Sequence, residues 1–288
     1  MVPRLAPMTP TLLDDLVRAA ASEVLSVRGV EPAALPADAG VERPRNPAHG
    51  EYATSVALRT AGRVGVEPRE LAGWLADALV RRPEVGDAAV AGPGFLNLRL
   101  SADGRSALVA EVLTAGDAPD GAAAVERAAD LLVRTAPAGL VAAVGADAAR
   151  YALVRGRPVD VRRTVDNPLF RTQYAHARAV ALTRNAAELG VEAGADLRPL
   201  TDPREGELVC VIGHFPAVVA TSEPLRVARH LEALADAFFD VHESCPVLPV
   251  GDADVTDLHR ARLTLVVAVR RVLANGLGLL GIGAPERI

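Results

Sequence analysis

The sequence predicts two domains of different class, an α+β domain first and an all-α helical bundle after it. Three observations predict this. Two short β-like runs, Val85 to Val90 and Phe95 to Leu100, flank the hairpin-compatible turn Ala-Gly-Pro-Gly and sit among helical segments. Residues 170–189, 223–243 and 254–275 carry long apolar stripes at helical spacing. Between the two regions, residues 114–124 shift to the Gly, Ala, Asp and Pro composition of a linker.

In chain order, Leu13, Leu16, Val17, Ala20 and Val24 recur at helical spacing and predict an amphipathic first helix over 11–27. Proline and glycine punctuation between Glu31 and Gly50 breaks that pattern into loop and short extended pieces. Residues 54–63 and 68–82 read as helices, the second with Pro68 in its first turn, where a missing N–H costs nothing. The strand pair follows, then a helix over 102–113. Leu258, Ala261, Leu265, Val269 and Leu273 share one face of the last long helix, and three such helices imply a bundle. The run Leu208 to Phe215 is rich in β-branched residues and by itself suits a strand.

The 288 residues are half hydrophobic and 23% charged, enough to bury one or two cores. No stretch reaches the roughly 20 apolar residues of a membrane span, and the start lacks a signal-peptide core; we read a cytoplasmic protein. Cys210 and Cys245 stand far apart with no CxxC, so no metal site and no disulfide is expected, only two buried small hydrophobes. All 31 basic residues are arginine, which excludes a catalytic, Schiff-base or P-loop lysine. No HExxH and no Gly-x-Ser-x-Gly elbow occurs; Gly276-Leu-Gly-Leu-Leu-Gly281 spells a dinucleotide motif but follows a helix instead of a strand. Gly276 is expected to end that helix, the later glycines to allow close packing. No cofactor is expected.

Residues 155–184 hold seven arginines against two aspartates, a local charge of +5 in a chain of net charge −5. If 170–189 is one helix, Arg171, Tyr174 and Arg178 share a face able to offer phosphate contacts and one aromatic platform. The alternative reading of the same spacing makes Phe170 and Tyr174 core residues and the arginines a solvated rim.

Four segments closely resemble one family. Asn167-Pro-Leu-Phe-Arg-Thr-Gln-Tyr-Ala-His-Ala-Arg178 and the last fourteen residues, from Asn275 to Ile288, resemble the anticodon-binding domain of bacterial arginyl-tRNA synthetases. Val41 to Thr54 and Ala91 to Leu100 look like the additional N-terminal domain of the same enzymes. The resemblance implies an α+β N-terminal additional-like domain over 1–113, a linker and remnant helical connector over 114–158, and a DALR-type anticodon-binding bundle over 159–288, in which the family has helix at 208–215. The family's catalytic fold, with its HxGH turn and KMSKS loop, has no counterpart here. It implies a paralogue that binds tRNA or a tRNA-like RNA without catalysis, as a regulator or accessory. A second reading is a scaffold that has lost RNA binding and joins a protein partner or a second copy of the chain. A DNA-binding role has no helix-turn-helix signal behind it.

By the same resemblance Arg171, Tyr174, Arg178, Arg287 and Ile288 are candidates on the anticodon side. Arg45, His49, Tyr52, Phe95, Asn97 and Arg99 are candidates for the outer corner of tRNA, at the D-loop. The alternative places Phe95 beneath the sheet and uses Tyr52 to seat a loop. This chain has Phe170-Arg171 where family members commonly have two tyrosines, and ends in isoleucine where methionine is usual. Those departures remove a hydroxyl and a thioether and predict altered base selectivity.

Overall fold

The computed structural model describes residues 10–44, 49–114 and 119–288. The chain divides into two units, Met1–Leu108 and Val109–Ile288.

In the first unit, helix α1 (Pro10–Val27) buries Leu13, Val17, Ala20, Ala21, Val24 and Leu25. Helices α2 (Val56–Val64) and α3 (Pro68–Leu79) follow, α3 burying Leu71, Leu75 and Leu79, with Pro68 in the first turn. Strands β1 (Val41–Glu42), β2 (Tyr52–Thr54), β3 (Val85–Ala91) and β4 (Phe95–Leu100) form one antiparallel sheet in the order β1-β2-β4-β3. Strand β1 lies in the stretch expected as loop and short extended pieces, and β2 runs into the helix expected to start at 54. At two and three residues they are too short for alternation to register, and Thr54 instead closes β2, accepting the Val56 N–H at 3.1 Å and donating to the Ala39 carbonyl at 2.5 Å. Leu96, Leu98 and Leu100 point into the core while Phe95, Asn97 and Arg99 face the other way. Gly94 completes the β3–β4 turn at φ +144, where a Cβ would stand 2.9 Å from Pro68.

Helix α4 (Ala102–Thr114) carries the division between the units. The second unit continues with α5 (Ala122–Arg134), α6 (Leu140–Val144) and α7 (Ala146–Arg155), then four long helices: α8 (Pro168–Glu188), α9 (Pro203–Ala220), α10 (Pro224–Ser244) and α11 (Asp257–Leu279). The run Leu208 to Phe215 is helix, inside α9, because all but one of its residues are buried on several sides at once and a strand there would have no partner. The expected role of Gly276 is corrected: α11 continues through it to Leu279, and Gly276 lets Leu231 of α10 approach, since a Cβ would stand 2.5 Å from a Leu231 methyl. The chain leaves the helical path at Gly281, φ +66.

Buried polar groups fix the helices to one another. Glu205, fully buried, accepts from Arg262 Nε at 2.6 Å and from the Asp202 backbone N–H at 3.0 Å, joining α9 to α11. Glu232 of α10 accepts from Arg155 Nε at 2.6 Å and from the Tyr151 hydroxyl, tying α7 to the bundle. Burial, and after it the Glu232 carboxylate, push the Tyr151 hydroxyl pKa up. Cys210 and Cys245 are buried and form no disulfide.

Candidate nucleic-acid interface

Asn167 starts α8 and shapes what lies before it. Its side-chain oxygen accepts the Leu169 N–H at 3.0 Å, and its amide donates to the carbonyls of Asp160 (3.1 Å) and Arg162 (2.8 Å). The arginine-bearing loop 160–163 is thereby pinned to the helix start.

One turn further on, α8 seats the C-terminal tail. Gln173 Nε2 donates to Asp147 Oδ2 and to the Gly283 carbonyl, both at 2.9 Å; the Gly283 N–H reaches Asp147 Oδ1 at 3.2 Å. His176, buried, bonds the Pro285 carbonyl through Nδ1 at 2.9 Å, so that nitrogen carries the proton. Desolvation by burial, the largest influence, pushes the His176 pKa below the ordinary histidine value, which favours the neutral tautomer.

The seated tail borders two cavities. One, of about 720 Å³, is lined by Tyr174, Arg178, Arg184, Glu188, Arg287 and Ile288 among others. The second, of about 670 Å³, shares Arg287 and Ile288 and adds Asp160, Arg162, Arg163 and Phe170. Four of the five anticodon-side candidates thus meet around one cavity although more than a hundred residues separate Arg178 from Arg287.

Arg171 stands apart. Its Nε donates to Asp236 at 2.6 Å and its guanidinium lies 5.0 Å from the centre of the Phe239 ring, so its charge is balanced locally. Arg178 keeps its charge, because its Nε donates at 2.9 Å to a neutral acceptor, His242 Nε2. Burial and then the Arg178 cation hold the His242 pKa below the ordinary value. Tyr174 is on the surface, 36% exposed, yet its ring already runs near-parallel to Phe170 (6.0 Å, 9°) and Phe239 (5.6 Å, 23°). It is therefore neither a core residue nor a free platform; the portion lining the cavity is what a ligand can touch.

In the first unit, Phe95 is 41% exposed and stands with Asn97 and Arg99 on the open face of β4, not beneath the sheet. Register places Asp87 opposite Arg99, and Glu42 in the same row as Ala53 and Asn97, so carboxylates balance this face. His49 is exposed. Tyr52 is corrected: at 1% exposure its ring belongs to the core, because β2 pairs with β4 in the sheet interior and turns it toward Leu96 and Leu98. Arg45 lies outside the described residues. Sequence reasoning did not single out Asp147, Gln173, Phe239 or His242 as site residues. Gln173 lies inside the motif already quoted; Asp147 and His242 carry no local signal, since only folding brings them to α8. Among the described residues, no group of three or more His, Cys, Asp or Glu is placed to hold a metal, and no helix is long and apolar enough to cross a membrane.

The bundle, with its arginine-bearing helix and returned C-terminal tail, falls in the class of anticodon-binding domains by the match of its sequence to that family. The DALR anticodon binding domain matches residues 172–288, and the arginyl-tRNA synthetase N-terminal domain matches residues 11–100. The matches fit an arginyl-tRNA-synthetase-like protein that lacks the catalytic domain. An arginine–tRNA ligase of Clavibacter sepedonicus is 50% identical over 163 residues, covering 52% of this chain and 29% of that relative's length. The arginyl-tRNA synthetase of Thermus thermophilus, a solved structure, is 28% identical with a TM-score of 0.42, over 58% of this chain and 32% of that one.

Proposed function

We propose that the protein binds tRNA, or a structured RNA resembling it, through the cavity between α8 and the C-terminal tail, and that it does not aminoacylate. The meeting of Tyr174, Arg178, Arg184, Arg287 and Ile288 around one 720 Å³ cavity carries the reading. Guanidinium groups with an aromatic edge suit unstacked bases and their phosphates. The open face of β4, with Phe95, Asn97 and Arg99, is a secondary contact, weaker because it sets one arginine against Asp87 and Glu42, where the cavity sets three against Glu188 and Glu286. The division at 1–113, 114–158 and 159–288 is kept as the functional layout. The absence of any lysine supports the non-catalytic part, since a lysine loop of the KMSKS kind cannot be built.

Filter binding against total tRNA, with sequencing of the retained species, tests this. Arg178→Ala is expected to weaken binding by about 1–3 kcal/mol if the guanidinium reads a base edge. Arg171→Ala, whose charge Asp236 already balances, is expected to lose far less. No retention at low salt, or equal losses in the two variants, would end the proposal. Arginine-dependent ATP–pyrophosphate exchange by the pure protein would refute the non-catalytic part.

One observation favours a protein-interaction role as the second reading. Helix α6 is Leu-Val-Ala-Ala-Val with no buried residue, and Leu131 of α5 is 61% exposed. If this apolar surface mediates association, Leu131→Asp with Val141→Asp should abolish any concentration-dependent rise in mass seen by sedimentation. Unchanged behaviour of the double variant would leave RNA binding as the sole reading.

A further inference from the structure

The Arg178–His242 pair sits at the edge of the proposed RNA cavity and has a built-in chemical asymmetry. His242 stacks within 5° of parallel on Phe238, its ring centre 5.7 Å away, so the imidazole is held by packing and not by Arg178. Its Nε2 accepts the Arg178 Nε–H at 2.9 Å. Only a neutral imidazole can do this, because an imidazolium has an N–H on both nitrogens and no lone pair left to offer. The charged groups acting on the ring are Arg178 from α8 and Glu243 from its own helix; the other arginine on the same face of α8, Arg171, is paired with Asp236. Arg178 is exposed and already lines the cavity shared by Tyr174 and Arg287.

We propose that His242 gates Arg178: the neutral ring holds the guanidinium against α10, and the protonated ring releases it to the RNA face while adding a second cation there. The inference rests on the RNA-binding reading above and supplies its regulation. Losing the acceptor and gaining a like charge act in the same direction, so no intermediate arrangement keeps both groups cationic and bonded. Burial and Arg178 itself keep His242 neutral down to below the ordinary histidine value of about 6.5. In RNA-free protein the held state therefore prevails at neutral pH, where RNA has to draw Arg178 off the ring at a cost to its affinity, and the released state appears without RNA as pH falls through the His242 titration. Because RNA phosphates favour the released, doubly charged state, linkage requires that RNA binding take up protons in that window.

Two measurements test this independently. In RNA-free protein with ¹³C-labelled histidine, NMR should show the His242 ring, assigned by its loss in His242→Gln and so told apart from His176, titrating below about pH 6.5, with the Arg178 Nε–H resonance changing in step. Titration of the His242 ring with no change at Arg178 overturns the gate whether or not the protein binds RNA. For RNA, wild-type affinity should rise several-fold between about pH 7.5 and pH 5, with the salt dependence steeper by about 0.7 log units per added cation. His242→Gln offers an amide acceptor that does not titrate, and it should remove that part of the pH response. An identical pH response in His242→Gln overturns the gate. If no RNA binds at any pH, the RNA reading fails while the NMR titration still decides whether His242 controls Arg178.

Discussion

Arg262→Ala is expected to destabilise the helical unit by about 3–5 kcal/mol, lowering its Tm by roughly ten degrees. The reason lies at the other end of the contact. Glu205 is fully buried, and its two oxygens are satisfied by Arg262 Nε and by the Asp202 N–H of the α9 capping box. Deleting the guanidinium leaves a carboxylate in the interior with half its partners. Arg262 also donates to the Pro246 carbonyl at 2.8 Å, so the loop after α10 loses an anchor at the same time. Replacing both members, Glu205→Met with Arg262→Met, should recover much of the loss, because no uncompensated charge remains. Urea unfolding checks both variants; a loss under about 1 kcal/mol for Arg262→Ala would mean that water reaches Glu205 and the pair behaves as a surface bridge.

Asp147→Ala is expected to unseat the C-terminal tail with little effect on global stability. Asp147 is the shared acceptor of the Gln173 amide and the Gly283 N–H, and hydrogen bonds to a charged group are worth about 1.5–3 kcal/mol each at most. The Gln173–Gly283 and His176–Pro285 bonds remain, so the expected shift is about tenfold in the population of the seated tail. Both cavities use Arg287 and Ile288 as walls, and RNA affinity should fall by a similar factor. Hydrogen exchange of residues 282–288 reads the seating directly. Unchanged protection there would show that the tail is held without Asp147.

These two clusters mark where sequence reading stops. The long helices, the hairpin and the direction of β4 follow from periodicity, because alternation at two and at 3.6 residues is a local property that any sheet or bundle must respect. Phe95, Asn97 and Arg99 on one face, and Arg171, Tyr174 and Arg178 on one face of α8, are legible for that reason. Tyr52 was not, since a strand of three residues carries no period and its burial is decided by pairing with β4. Gly276 differs from expectation for a related reason: a glycine near a helix end can stop the helix or admit a neighbour, and only the position of Leu231 on another helix decides which.

The sequence by itself determined the two classes of fold, the resemblance that runs through both, the lack of lysine chemistry and the concentration of arginine before and along α8. Only the tertiary structure decided which arginine keeps a usable charge, for that depends on whether the acceptor is Asp236 or neutral His242, residues some 65 positions away. It also decided that the tail folds back on α8 to wall the cavities. Charge pairing and cavity shape are set by distance in space, and chain order records neither.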